Sequence, residues 1–152
     1  MNYIIFFYKN TLTGGKNMEL NKLYDIVVKE NISTNDFKMK NKAIILRVDK
    51  DYYIGLNYSK IEGITEEKEL LAEELGHYYC NAFYNSSSSP STIAQKEYRA
   101  NKWKCTVLVS VNDFKDAFKK GLKNIYEIAD YLCLSEDTVA FAYNYYKENS
   151  YF

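Results

Sequence analysis

Histidine, proline and arginine are nearly absent from this chain of 152 residues. His77 and Pro90 stand alone, and only Arg47 and Arg99 are arginine among the 20 basic residues. With one histidine, a site that needs two imidazoles, such as a two-His zinc centre, cannot be built from a single copy. Cys80, Cys105 and Cys133 are odd in number and form no C-x-x-C pair, which points to a reduced cytoplasm. Net charge is also missing: 20 basic residues cancel 20 acidic ones, which argues against an electrostatically driven nucleic-acid binder. The apolar run at 3–8 has no basic leader and is far shorter than the ~20 residues that span a bilayer, so no membrane segment is expected.

What is present is an apolar content of 47%, enough for a core in one domain that buries roughly two-thirds of its unfolded surface. The abundance of Lys, Asn, Tyr, Ile and Phe follows A/T-rich codons and points to a bacterial or phage genome of that composition. Gly14-Gly15-Lys16-Asn17 reads back into purine-rich codons that suit a ribosome-binding sequence ahead of Met18. Residues 1–17 are then either a translated leader before a natural start at Met18, or a strand at 3–8 with a Gly-Gly turn.

From Met18 onward, Leu20, Leu23, Tyr24, Val27 and Val28 recur at helical spacing and predict a helix over 18–31. Ser33-Thr34-Asn35-Asp36 reads as a loop or turn. Residues 43–48 and 52–56 are β-branched or aromatic runs around a short polar turn, the pattern of an antiparallel hairpin. Thr65 with Glu66 and Glu67 predicts the start of a helix running to Tyr84. A Ser-rich linker at 85–92 leads to a helix over 92–105 and an apolar run at 107–111. Asn112 or Asp113 then caps a helix to Lys120, and two helices follow at 124–132 and 136–148.

The chemistry-bearing stretch is Leu71-Ala72-Glu73-Glu74-Leu75-Gly76-His77-Tyr78. In an H-E-x-x-H helix two histidines one turn apart bind one zinc, and the intervening glutamate takes a proton from the water. Here the first histidine is replaced by Glu73, while Glu74 and His77 keep their places. Glu73 and His77 are separated by about 40° around the helix and still project together. Glutamate is itself a zinc ligand. A third ligand is required, and Glu97 on the following helix is the best placed acidic residue, since a helix hairpin across the linker brings it opposite that face.

These residues resemble the active helix of the ImmA/IrrE-type metallopeptidases, whose usual form is A-H-E-L-G-H-Y. Glu97 with Ala100 and Asn101 resembles the E-x-x-A-N pattern of that family's next helix, and Tyr53-Ile54-Gly55-Leu56-Asn57 fits the strand before the active helix. The resemblance covers about 20–148 and is specific over 70–101. It implies a single α+β zincin-like domain over 18–152, with an N-terminal helix, a small antiparallel sheet, an active-site helix and C-terminal helices. It further implies a cytoplasmic, phage- or mobile-element-encoded endopeptidase that cleaves a helix-turn-helix repressor, with Glu73, His77 and Glu97 as metal ligands and Glu74 as the base.

Glu73 alters that site. Two carboxylates and a neutral imidazole cancel the charge of a divalent ion, which is expected to polarise water less and to move preference from Zn²⁺ towards Mn²⁺ or Fe²⁺. A non-catalytic regulator that binds a repressor without cutting it is therefore the alternative expectation.

Other features are open to bland readings. Glu74-x-x-His77 matches half of a di-iron carboxylate motif, but the second half is absent from one copy. Cys80 is either a fourth ligand or thiol switch, or a small buried hydrophobe. Gly76 is expected to let a strand pass close to the helix, and the Ser86–Ser89 run is either a plain loop or a lip over the site. Residues 125–139 resemble a helix-turn-helix. Its second helix would present Ser135, Glu136 and Asp137 to phosphate, so a packing or partner-docking helix pair is the better reading.

Overall fold

The computed structural model describes residues 18–152, so the leader and strand readings of 1–17 lie outside the described residues. The element order is α1 (Leu20–Lys29), β1 (Ser33–Asp36), β2 (Ala43–Val48), β3 (Asp51–Leu56), α2 (Ile64–Tyr79), α3 (Pro90–Leu108), α4 (Val111–Lys119), α5 (Ile125–Leu132) and α6 (Glu136–Glu148). The described residues are thus a mixed α+β arrangement, and they fall into two compact units divided between Leu108 and Val109. No helix among them is long and apolar enough to cross a membrane.

In the first unit the hairpin forms as its pattern predicts. β2 and β3 pair antiparallel with Val48 opposite Asp51, and Asp49 takes the left-handed backbone (φ 55°) that a two-residue turn requires. The sheet is mixed, however, in the order β1-β3-β2, because Ser33–Asp36 is a strand paired parallel to β3 rather than a loop. Residues 37–42 suffice as the connection because β2 returns on the far edge of β3. All four β1 side chains are exposed, so no apolar alternation marks the strand in the sequence.

α1 buries Leu23, Ile26 and Val27, whereas Val28 is 78% exposed, so the apolar stripe is rotated from the expected one. Ile45, Ile54 and Leu56 of the sheet and Leu71, Ala72 and Leu75 of α2 are also buried in this unit. α2 begins after Gly63, not at Thr65, and Glu66 and Glu67 occupy its first turn, where the helix dipole favours carboxylates. It ends at Tyr79 rather than Tyr84. Asn81 adopts a left-handed conformation (φ 47°), and the Ala82 amide closes back on the His77 carbonyl at 2.8 Å. α3 starts at Pro90, whose fixed φ and missing N–H suit a first turn, and it runs on through the apolar 107–108.

The second unit contains α4, α5 and α6. Ser110, rather than Asn112 or Asp113, caps α4, and Asp113 completes its capping box. α5 and α6 lie where they were expected and are joined through Cys133, which is left-handed (φ 51°). Phe114, Ile128, Leu132, Val139 and Ala142 are buried in this unit. The hydroxyl of Tyr146 donates to the Val109 carbonyl at 2.7 Å.

Candidate metal centre

The site is built on α2 and α3, which pack so closely that a side chain at Gly76 has no room. A Cβ there would lie 2.5 Å from the carbonyl oxygen of Ala100. The close neighbour is a helix, not the strand the glycine was expected to admit. Around this contact the two helices run antiparallel in a regular register. Arg99 donates to the Cys80 carbonyl at 2.6 Å and Lys96 to the Asn81 carbonyl at 3.0 Å, so basic side chains of α3 satisfy backbone oxygens at the end of α2.

That register brings Glu73, His77 and Glu97 together. Each offers one ligand atom, and the three atoms lie within 4.8 Å of one another. His77 is 8% exposed and its Nε2 lies 3.6 Å from Glu97 Oε1. Its other nitrogen, Nδ1, donates to the Ala82 carbonyl at 2.9 Å. The left-handed turn at Asn81 places that carbonyl, so the early end of α2 sets the histidine's orientation. With Nδ1 committed to that carbonyl, Nε2 is the nitrogen that faces the carboxylates, the orientation a metal-ligating imidazole requires.

One imidazole and two carboxylates at this spacing fit a divalent ion. Tyr84, beyond the end of α2, donates to Glu97 through its hydroxyl, and its ring packs edge-on to His77 at 6.1 Å between centroids. The bond to Glu97, with burial and the carboxylate charges, pushes the phenol up to about 12.

Glu74, the next residue of α2, is 9% exposed and lies between the cluster and strand β2. Burial, then the charge of Glu73, pushes its carboxyl up to about 8. Glu97 adds to this, while a hydrogen bond from the Ile45 backbone of β2 opposes it.

Lys104 of α3 also joins the site, although it lies outside the E-E-x-x-H pattern. Its ammonium lies 2.8 Å from Glu73 Oε2, and its side chain is only 11% exposed. Burial works against its charge, and Glu73 outweighs that, leaving the amine above its ordinary value. The available signal was spacing: Lys104 follows Glu97 by seven residues, two helical turns, and so shares its face. Cys80 lies outside the cluster. Its thiol donates to the Arg99 carbonyl at 3.5 Å, and burial pushes its pKa up, away from the reactive thiolate. The residues of the Ser-rich turn bond chiefly among themselves, as Ser89 does with Ser91 and Thr92.

No family model, no curated protein and no solved structure matches this chain.

Proposed function

We propose that this chain is a metal-dependent endopeptidase of the ImmA/IrrE type, with a zincin-like fold, that acts on a helix-turn-helix repressor of a phage or mobile element and so relieves repression. The observation that carries the proposal is the convergence of Glu73, His77 and Glu97, with ligand atoms within 4.8 Å of one another, beside a buried glutamate at the next position of the same helix. A bound divalent ion, with Zn²⁺ the first choice and Mn²⁺ or Fe²⁺ the alternatives, supplies Lewis acidity towards water and a peptide carbonyl.

The chain's own residues do the rest. Ala82 holds the imidazole by Nδ1 so that Nε2 is the donor, and Tyr84 fixes the Glu97 carboxylate. Glu74, one position on from Glu73, takes the proton of the attacking water and later passes it to the amine that leaves as the peptide bond breaks. Its raised pKa suits the second half of that cycle, where it must act as an acid.

The same raised pKa favours the second reading, a regulator that binds the repressor without cutting it. Without a cation beside it, a Glu74 pushed up to about 8 favours its protonated form at neutral pH, and it cannot serve as a base until a bound ion draws that value down.

Co-expression with the helix-turn-helix repressor encoded nearest to this chain decides between them. Repressor cut by the wild type but intact with Glu74→Gln supports the peptidase. Intact repressor with derepression unchanged in Glu74→Gln supports the binder. If the purified protein binds no divalent ion, and Glu73→Ala and His77→Ala alter nothing, both metal-dependent readings fail.

A further inference from the structure

We propose that Lys104 belongs to the metal site as a positioning residue: by holding one oxygen of Glu73, it lets a carboxylate stand where an imidazole is usual without changing the net charge of the donor set. This rests on the reading of Glu73, His77 and Glu97 as ligands of a divalent ion.

The geometry comes from the packing of α2 against α3. With Gly76 pressed on Ala100, the antiparallel register sets His77 opposite Glu97 on one side of the contact and Glu73 opposite Lys104 on the other. The Lys104 ammonium engages Oε2 of Glu73 at 2.8 Å, leaving Oε1 as the oxygen without that partner. Glu73 is thereby disposed to bind a cation through one oxygen, as an imidazole binds through one nitrogen.

The charge arithmetic follows. Two carboxylates and a neutral imidazole carry −2, and the ammonium returns the group to −1. Two imidazoles and one carboxylate also carry −1. A divalent ion here therefore sits in a site of net +1, not the neutral site that the ligands alone imply. The weakened water activation expected from Glu73 is offset by a residue that lies 31 positions away.

A purely structural role explains this pair less well. Burying an ammonium forfeits much of its solvation, and an apolar pair in the same space is commonly as stable or more so. Lys104 is nearly buried while its partner Glu73 is about one-third exposed, an arrangement that favours a local field over a packing gain.

The test measures metal affinity by chelator competition on the full chain, with Zn²⁺ and Mn²⁺ as probes. Wild type is expected to bind one ion and to prefer Zn²⁺. Lys104→Met removes the ammonium and frees both oxygens of Glu73, so Mn²⁺ should gain on Zn²⁺ by roughly tenfold or more. Lys104→Gln keeps a hydrogen bond without the charge, is expected to shift the same way, and serves if the Met variant does not fold. Lys104→Arg should restore the wild-type ratio. The double variant Glu73→His with Lys104→Met, which carries −1 again, should also prefer Zn²⁺. Wild-type selectivity in both Lys104→Met and Lys104→Gln overturns the role of Lys104 alone, as does failure of Lys104→Arg to rescue. If the wild type binds neither ion, the metal-site reading falls and this inference with it.

Discussion

Gly76 lies so close to Ala100 that a Cβ at position 76 would meet the Ala100 carbonyl oxygen at 2.5 Å. The obstacle is backbone, not the end of a flexible side chain, so α2 or α3 must move to admit it. Gly76→Ala improves intrinsic helix propensity by roughly 1 kcal/mol. Forced separation of the helices outweighs that gain, and a net loss of roughly 1–3 kcal/mol is expected. The same movement draws Glu97 and Lys104 away from His77 and Glu73, so metal affinity should fall with stability. Thermal melts and chelator competition on this one variant check both; a variant as stable and as tight-binding as wild type refutes the packing argument.

In the second unit the expected consequence concerns stability alone. Tyr146 is nearly buried, and its hydroxyl satisfies the Val109 carbonyl at 2.7 Å. Tyr146→Phe keeps the ring and strands that carbonyl, at a cost of roughly 1–3 kcal/mol. Chemical denaturation measures it, and metal binding by the α2–α3 site should be unchanged. An unaltered midpoint would show that solvent replaces the lost partner.

The candidate site residues were legible in the sequence because their spacing is local. Glu73, Glu74 and His77 are fixed relative to one another by a single helix, and Glu97 lies one hairpin away on the next. The residues that tune them were not legible for the converse reason. Lys104 meets Glu73 only in one register of α2 against α3, and that register depends on the Gly76–Ala100 contact. The Ala82 carbonyl reaches His77 only because α2 stops at Tyr79, and the sequence gives just one hint of that stop, an asparagine at 81 able to turn left-handed. β1 is not legible because an edge strand of Ser, Thr, Asn and Asp, exposed throughout, carries no apolar period.

Tyr84→Phe tests whether the partner of a ligand matters as much as the ligand. The phenol donates to Glu97 and packs edge-on to His77. Its loss leaves the Glu97 carboxylate free to rotate, and changes of this kind typically cost 10–100-fold in metal affinity. Tyr84 is 45% exposed, so the fold should tolerate the change with a shift in stability below about 1 kcal/mol. Equal affinity for wild type and variant would show that Glu97 is held by its own helix.

Glu74 predicts a pH dependence whose sign is unusual for a carboxylate. Its folded-state pKa, pushed up to about 8 chiefly by burial, lies above the ordinary value of 4.5, so the folded chain holds a proton that the unfolded chain releases. Its contribution is therefore fully present below pH 4.5 and is lost as pH rises towards 8, a decline on the order of a few kcal/mol in metal-free protein. Glu74→Gln has no proton to lose and keeps an acceptor for the Ile45 amide. With EDTA present, its stability relative to wild type should rise between pH 5 and pH 8. A divalent ion beside Glu74 favours the ionised carboxylate and should flatten the wild-type decline. Urea midpoints at the two pH values, with EDTA and with Zn²⁺, measure both effects. Parallel curves for wild type and Glu74→Gln in EDTA would mean that Glu74 is already ionised at neutral pH, which removes the main physical ground for the non-cutting reading and leaves the base ready for peptide hydrolysis.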